Sequence, residues 1–488
     1  MRSGGILLPI FSLPSPYGIG TMGEAARRFV DFLQAAGQRY WQILPVCPTS
    51  YGDSPYSSFS TFAGNPYFID LDQLHMDGLL EKTEYAGLDW GEDEVHYDKL
   101  YEHRFPVLRL AFRRFAHDVP VDFMDFCREN PWLEDYALFM TLKGVYGGKP
   151  WQEWPKGVRG RETKELAKVK AAHSEDMAFW KCVQYLFYRQ WRELKRYAND
   201  RGVSIIGDLP IYVAPDSADV WANPKQFQLD KNLQPVEVAG VPPDPFTADG
   251  QLWGNPLYDW DVMKADGYRW WMDRVEHQCE LYDVLRMDHF RGFEAYYAIP
   301  YGDETARNGH WRTGPGLDFF KAVEKRVGKH PIIAEDLGFL TDGVRQLLAD
   351  SGFPGMKVLE FAFDSREDSD YLPHNYDRHC VVYTGTHDND TVVGWLASAA
   401  EADVAFAKEY LHLTKEEGYH WGMMRGAWSS VANLAVVQMQ DVLGIGSEGR
   451  VNTPSTLGQN WRWRMKKGAA TDALAARLRR QMEIYRRI

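Results

Sequence analysis

The sequence predicts a single (β/α)8 barrel, the TIM-barrel architecture, as the fold of this 488-residue chain. Eight short apolar runs, each closed by polar, glycine or proline residues, alternate with segments of helical periodicity. Such alternation is typical of a parallel sheet covered by helices, and α/β barrels with insertions remain single domains at this length. The hydrophobic fraction of 45% is ample for a large core. We therefore expect residues 1–488 to form one barrel domain.

The eight predicted strands are spread along the whole chain. In order they are GILLPI from Gly5, YWQILPV from Tyr40, VSIIGDLPIYV from Val203, DVLRMDHF from Asp283, PIIAEDLG from Pro331, MKVLEFAF from Met356, CVVYTGTHD from Cys380 and NLAVVQMQDVLG from Asn433. Helices are predicted between them, for example GEAARRFVDFLQAAG and DGVRQLLADSG, because capping residues or glycines mark their ends.

Two segments are longer than barrel connections require. Residues 47–200, between the second and third strands, are predicted to form a mostly helical insertion that contains the periodic run MAFWKCVQYLFYRQWRELKRYA. Residues 214–260, after the third strand, are rich in Pro, Asp, Trp and Asn. We expect them to form an ordered loop insertion that contacts substrate.

The composition disfavours several classes of partner. A formal net charge of -13 repels nucleic acid and anionic membrane surfaces. The five cysteines are odd in number and form no CxxC pair, which indicates reduced thiols. The N-terminal apolar run is broken by Pro9, and no stretch of 18 apolar residues occurs, so we expect a cytoplasmic enzyme. Aromatic residues reach 14%, and exposed rings suit the stacking of sugars.

Acidic residues end three of the predicted strands. They are Asp288 in LRMDHFRG, Glu335 in IIAEDLG and Asp388 in YTGTHDND, with His289 and His387 beside two of them. Reacting groups of such barrels lie at the C-terminal ends of the strands. We therefore expect the three carboxyl groups to converge at one mouth of the barrel.

The fourth strand suggests how two of these groups differ. Side chains alternate along a strand, so Arg286 and Asp288 share a face, and the guanidinium is expected to keep the pKa of Asp288 low. Negative neighbours are expected to raise the pKa of Glu335. One ionised and one protonated carboxyl group form the pair that cleaves a glycosidic bond.

Structural roles are the alternatives for the same acids. Asp288 could bridge to an arginine, Glu335 could pair with a surface lysine, and either Asp388 or Asp390 could cap the helix that begins near residue 391. The cap is the preferred role of Asp390. Asp336, next to Glu335, is expected to point elsewhere.

Signatures of other chemistries are weak or missing. GIGTMG at residues 18–23 matches the dinucleotide pattern G-x-G-x-x-G, but SLPSPY interrupts the passage from strand to turn and the ribose-binding acid is missing. The sequence has no P-loop, G-x-S-x-G or H-E-x-x-H motif and no clear calcium loop. We expect neither a metal nor a cofactor.

Two loops offer aromatic and polar side chains for sugar binding. PTSYGDSPYSSFSTFAGNPYF carries Tyr51 and Tyr56, and its alternative interpretation is a buried Ω-loop. PPDPFTADGQLWGNPLYDW contributes four more candidates, Asp244, Phe246, Gln251 and Trp253.

Together these motifs resemble glycoside hydrolase family 77, the amylomaltase or 4-α-glucanotransferase family, over essentially the whole chain. The shared segments are SPYGIGTMG, YGDSPYSSFSTFAGNPY, DSADVWANP, GQLWGNPLY, RMDHFRG, AEDLG, GTHDND and NTPSTLGQNWRWR. One departure is PPDPF in place of the usual PPDYF, so that Pro245 removes an aromatic ring from the acceptor side.

The resemblance implies a role for each site residue. Asp288 is the nucleophile, Glu335 the general acid/base, and Asp388 the carboxylate that stabilises an oxocarbenium-like transition state. Contact with glucan is implied for Arg286, His289, His387, Tyr51, Tyr56, Asp216, Asp244, Phe246, Gln251 and Trp253.

The expected activity is transfer of α-1,4-glucan segments to the 4-hydroxyl of glucose or a maltooligosaccharide, through a covalent glycosyl-enzyme intermediate. An α-glucan hydrolase of the amylase type is the first alternative, because transfer and hydrolysis share that intermediate. A catalytically silent glucan-binding protein is the second alternative, and the complete set of acids argues against it.

Overall fold

A computed structural model describes residues 2–244, 247–338, 340–366 and 368–488. Within these ranges the strands are β1 Ser3–Leu7, β2 Tyr40–Gln42, β3 Ser204–Leu209, β4 Glu237–Val241, β5 Gln251–Pro256, β6 Val284–Met287, β7 Ala295–Pro300, β8 His310–Thr313, β9 Ile332–Ala334, β10 Gly355–Val358, β11 Cys380–Tyr383 and β12 Leu434–Gln438.

Eight of the described strands form a parallel sheet in the order β10-β11-β12-β1-β2-β3-β6-β9. The sheet closes into a barrel where the amide N–H of Ala334, in β9, donates to the carbonyl of Pro354, just before β10, at 3.0 Å. Each of these strands overlaps one of the eight predicted runs, so the predicted (β/α)8 barrel is confirmed. The strands are mostly apolar because nearly all of their residues are buried, as in other parallel sheets, and the polar exceptions include Asp208 in β3 and Arg286 in β6.

The described α-helices surround the barrel and fill the insertion. In chain order they are α1 Glu24–Ala35, α2 Leu71–Met76, α3 Tyr97–Phe115, α4 Val121–Glu129, α5 Trp132–Val145, α6 Lys156–Arg159, α7 Thr163–Ala172, α8 Ser174–Asp200, α9 Ala218–Ala222, α10 Trp260–Ala265, α11 Arg269–Leu281, α12 Leu317–Val327, α13 Asp342–Ser351, α14 Val392–Ser398, α15 Glu401–Leu411, α16 Tyr419–Ser429, α17 Met439–Leu443 and α18 Asp472–Ile484.

Helix α1 illustrates how sequence pattern sets the outer layer. Its residues Ala26, Phe29, Val30 and Leu33 are spaced three or four apart, so they form one apolar stripe, and all four are buried. Helix α8 follows the same rule over a longer span, and it ends just before Gly202, whose φ of 71° is readily adopted by glycine. None of the helices in the described ranges is long and apolar enough to cross a membrane.

Helices α2 to α8 lie between β2 and β3. Two glutamines of α8 bind the backbone of the loop that follows β2. Gln184 exchanges hydrogen bonds with the backbone of Gly64, at 2.7 Å to the N–H and 2.9 Å to the carbonyl. Gln190 binds the backbone of Asp70 in the same way, at 2.7 and 3.1 Å. Because both side chains are buried, this loop is held rigidly against α8.

Residues 214–260 differ from the expected loop because they contain α9, β4 and β5. In the described part of the chain, β4 and β5 join β7 and β8 in an antiparallel sheet of order β5-β4-β7-β8. Half of this sheet comes from residues that follow β6, so no local pattern within 214–260 reveals it.

The glycines of GIGTMG serve close packing of the chain. Gly18 has a φ of 84°. A Cβ on Gly20 would lie 1.7 Å from the carbonyl oxygen of Ile10, and one on Gly23 would lie 2.1 Å from a carboxylate oxygen of Asp70. The positive φ and these close contacts account for glycine at the three positions, so the motif does not require a nucleotide-binding role.

Candidate active site

Asp288 and Glu335 leave neighbouring strands at the same level. In the parallel pair β6 and β9, Met287 lies opposite Ala334, so the next residues are Asp288 and Glu335. The Glu335 N–H continues the ladder by donating to the Met287 carbonyl at 3.0 Å. Both carboxyl groups therefore start from the C-terminal rim of the barrel, as predicted.

The carboxyl group of Glu335 is held by two backbone donors. The His289 N–H donates to Oε2 at 2.8 Å, and the Leu337 N–H donates to Oε1 at 2.9 Å. His289 has a φ of 49°, in the left-handed region that non-glycine residues seldom adopt. Burial raises the pKa of Glu335 above its usual value, which agrees with the predicted direction, while Arg286 and both backbone donors lower it.

Arg286 binds a second carboxylate that the sequence analysis missed. Its Nη1 donates to both oxygens of Asp208, at 2.7 and 2.8 Å, and to Oδ1 of Asp288 at 3.0 Å. Asp208 is in β3 and is fully buried. Asp208 lies in the middle of the third predicted run, VSIIGDLPIYV, so a rule that looks for acids at strand ends passes over it; the observed strand ends earlier, at Leu209.

The predicted low pKa of Asp288 is wrong. Burial raises the pKa of Asp288, and the positive charge of Arg286 offsets only part of this effect. Negative charge on Asp208, Glu335 and Asp388 raises the pKa further. The physical reason is that burial outweighs the attraction of Arg286, which Asp208 also shares. The carboxyl groups of Asp288 and Glu335 therefore both hold protons more tightly than isolated acids do.

Asp388 follows β11 in a loop that also carries His387. Asn452 donates to Oδ1 of Asp388 at 2.6 Å, and Nε2 of His387 lies 3.3 Å from the same oxygen. Burial lowers the pKa of His387, although the charge of Asp388 acts in the opposite direction. Asn452, in the segment that carries NTPSTLGQNWRWR, was not among the predicted site residues.

Tyr56 joins this group from the loop after β2. Its hydroxyl donates to Oδ2 of Asp208 at 2.6 Å, and its ring stacks on His387 with centroids 5.0 Å apart and an interplanar angle of 15°. The Trp461 ring lies 5.9 Å from Tyr56 and completes the cluster. Tyr56 therefore contacts the strand ends of the predicted site through Asp208 and His387, and its contact with glucan stays a prediction.

Trp253 and Gln251, both in β5, come close to His289, the residue that follows Asp288. The Trp253 ring meets the His289 ring edge-on at 4.9 Å, and its Nε1 donates to Oε1 of Gln251 at 3.0 Å. Trp253 is 38% exposed, which leaves surface for a ligand. Burial lowers the pKa of His289 to about 3, so this imidazole is neutral at pH 7.

Two other residues predicted to contact glucan are exposed, and a third lies outside the described residues. Tyr51 is 65% exposed and donates to the Gly148 carbonyl at 2.6 Å. Asp244 is exposed and accepts from the Thr247 N–H at 2.7 Å. Phe246, with Pro245, lies outside the described residues.

Asp216 is engaged within the protein. One carboxylate oxygen accepts from Nζ of Lys143 at 2.6 Å, and the other accepts from the Trp151 N–H at 3.1 Å. This buried ion pair attaches the insertion, and the expected contact of Asp216 with glucan stays a prediction.

The neighbouring acids have structural roles. Asp336 points away from the site, as predicted, because its Oδ1 accepts from the Met356 N–H at 2.7 Å. The predicted cap by Asp390 is wrong: Thr391 caps α14 by accepting from the Gly394 N–H at 3.0 Å. Within the residues that the structure describes, no group of three or more His, Cys, Asp or Glu side chains could hold a metal ion.

Comparison with known proteins agrees with this geometry. A family model described as 4-alpha-glucanotransferase matches residues 8–471. The chain is 49% identical to a 4-alpha-glucanotransferase of Clostridium butyricum, over 98% of this chain and 99% of that protein. It is 48% identical to a 4-alpha-glucanotransferase of Thermus thermophilus, over 100% and 99%. The structure of an amylomaltase from Streptococcus agalactiae in complex with acarbose is similar, with a TM-score of 0.98, 42% identity and full coverage of both chains.

Proposed function

The chain belongs to glycoside hydrolase family 77, the 4-alpha-glucanotransferases, and we propose that it moves α-1,4-glucan segments from a maltooligosaccharide or starch-type donor to the 4-hydroxyl of an acceptor sugar. Glucose and maltooligosaccharides are the proposed acceptors. The observation that carries the mechanism is the adjacency of Asp288 and Glu335 on neighbouring strands beside Arg286.

The first step forms a glycosyl enzyme. Protonated Glu335 donates its proton to the glycosidic oxygen, while the Asp288 carboxylate attacks the anomeric carbon and the bond to the leaving sugar breaks. The leaving sugar departs with a neutral 4-hydroxyl. Arg286 lies 3.0 Å from Asp288 and favours the ionised form that the nucleophile needs. The same charge also lowers the pKa of Glu335, whose burial favours the protonated form.

The second step reverses the first with a new sugar. The Glu335 carboxylate removes the proton from an acceptor 4-hydroxyl, whose oxygen attacks the anomeric carbon and releases Asp288. Two inversions give overall retention, for which the carboxyl groups are expected about 5 to 5.5 Å apart. Asp388, oriented by Asn452, supplies negative charge beside the positively charged transition state.

Aromatic surface near the cleavage point favours a sugar over water as acceptor. Trp253, beside His289, offers a partly exposed ring for this purpose. Acarbose, which is bound by the Streptococcus agalactiae relative, is proposed to compete with donor at the same site.

The five cysteines are all free, which supports the cytoplasmic location expected from the sequence.

Incubation with maltotriose tests this function. A transferase produces glucose and a ladder of longer maltooligosaccharides with little rise in total reducing ends. A steady rise in reducing ends without longer products would instead identify the amylase-type hydrolase. Binding of maltotriose without any new product would identify the silent glucan-binding alternative.

A further inference from the structure

One buried carboxylate binds both ends of the loop that carries His387 and Asp388. Asp441 lies in α17, just after β12, and is completely buried. Its Oδ2 accepts from the Thr384 hydroxyl at 2.6 Å, where the loop leaves β11. Its Oδ1 accepts from the Val392 N–H at 2.7 Å, where the loop enters α14.

We propose that Asp441 is a positioning residue for the transfer reaction, which closes the base of the loop over residues 384–392 and so fixes Asp388 and His387 over the cleavage point. This inference rests on the proposed function, because it takes the role of Asp388 from there. Asp441 does not itself reach the substrate: it acts through Thr384 and Val392.

Other contacts at the base leave the loop little freedom. Nε2 of Gln438 donates to the Asp390 carbonyl at 3.1 Å, and the Glu360 N–H donates to the Thr384 carbonyl at 3.1 Å. A Cβ on Gly385 would lie 3.0 Å from Nε2 of Gln438 and 3.2 Å from Cδ of Glu360. The loop is therefore packed tightly between β10 and β12, and Asp441 ties it at both ends.

The cost of burying this carboxylate supports a positioning role. Burial raises the pKa of Asp441 to about 6, while the bonds from Thr384 and Val392 lower it and Asp390 raises it. The neighbouring Glu360 has a pKa well above its usual value, because of burial first and of Asp441 and Asp390 next. The carboxylate offsets part of this cost by accepting hydrogen bonds from both ends of the loop. Only the ionised carboxylate of Asp441 carries no proton, so both of its oxygens act purely as hydrogen-bond acceptors for Thr384 and Val392.

Thr384→Val tests the inference because it removes one of the two bonds with little change of shape and without touching Asp441. We expect kcat for maltotriose disproportionation to fall about tenfold, since misplacement of a catalytic group slows the chemical step, while KM stays within about twofold. Thr384→Ser keeps the hydroxyl and is expected to restore most of the lost kcat. Asp441→Asn is expected to lower kcat further if the protein folds.

The matched control is Thr471→Val, which removes the cap of α18, far along the chain from this loop. It is expected to lower the thermal unfolding temperature modestly and to leave kcat unchanged. Far-UV circular dichroism and thermal unfolding show that each variant is folded. Wild-type kcat in folded Thr384→Val, or equal losses in the Val and Ser variants, would overturn the inference. Failure of the proposed function is a separate result, because the wild-type protein would then show no disproportionation at all.

Discussion

Asp208 holds Arg286 through both carboxylate oxygens, at 2.7 and 2.8 Å from the same guanidinium nitrogen that reaches Asp288. This pairing fixes the arginine at the bottom of the site, where it is 4% exposed. It also divides the positive charge between two acids, so the effect of burial on the pKa of Asp288 is only partly offset.

Asp208→Asn is expected to lower kcat by about 100-fold, because Arg286 and Tyr56 lose the charged carboxylate and one of the two acceptor oxygens that orient them. Loss of negative charge beside Asp288 lowers the pKa of that nucleophile. The acidic limb of kcat/KM, which requires ionised Asp288, is then expected to move to lower pH. Asp318→Asn, which removes an exposed acid paired with Lys264, is the control and should leave the profile unchanged. An acidic limb that moves upward would contradict this role of Asp208.

The basic limb of kcat/KM is expected to report Glu335. A general acid must be protonated, so activity is present below its pKa and is lost as pH rises through it. Because burial raises the pKa of Glu335, this limb should lie above about 4.3, the usual value for glutamate. Glu335→Gln should remove the limb as well as lower kcat by about 10² to 10⁴. A basic limb that persists unchanged in the variant would assign it to another group.

Trp253→Ala is expected to weaken acceptor binding and to let water compete for the intermediate. We expect a five- to tenfold rise in acceptor KM, about 1 kcal/mol, together with more reducing ends per transfer event. Trp311→Ala is the matched control. Trp311, which lies on β8, is also partly exposed, at 42%, but its ring packs against the Arg291 guanidinium. Equal effects in the two variants would remove Trp253 from the acceptor site.

Gln184→Leu is expected to reduce the free energy of unfolding by about 2 to 4 kcal/mol, because it leaves the N–H and carbonyl of Gly64 buried without their partner. Thermal unfolding measures the change. Gln346→Leu, which removes an exposed side chain bonded to Asp350, should have a much smaller effect. Similar losses in both variants would show that the attachment by α8 is unimportant.

The barrel could be predicted because each parallel strand is buried on both faces and therefore reads as a short apolar run. The antiparallel sheet could not, since β4 pairs with β7 across a long stretch of chain and its strands carry glycine and proline. The residue pattern within one strand does not indicate which distant strand it pairs with.

The same distinction between local and distant signals applies to the predicted site. Asp288, Glu335 and Asp388 were found because strand ends are visible in the sequence. The pKa of Asp288 depends on Asp208, which is 78 residues from Arg286 in the chain. Likewise, Asp216 was assigned by resemblance, whereas its ion pair with Lys143 depends on how the insertion docks.

Trapping of the covalent intermediate tests the catalytic assignment most directly. In Glu335→Gln, α-maltosyl fluoride should still glycosylate the enzyme, because fluoride leaves without a proton, while turnover stalls for lack of a base. Mass spectrometry of a peptic digest is expected to find one maltosyl unit on Asp288. A maltosyl unit on another residue, or release of product with inverted configuration and no adduct, would contradict the assignment of Asp288 as nucleophile.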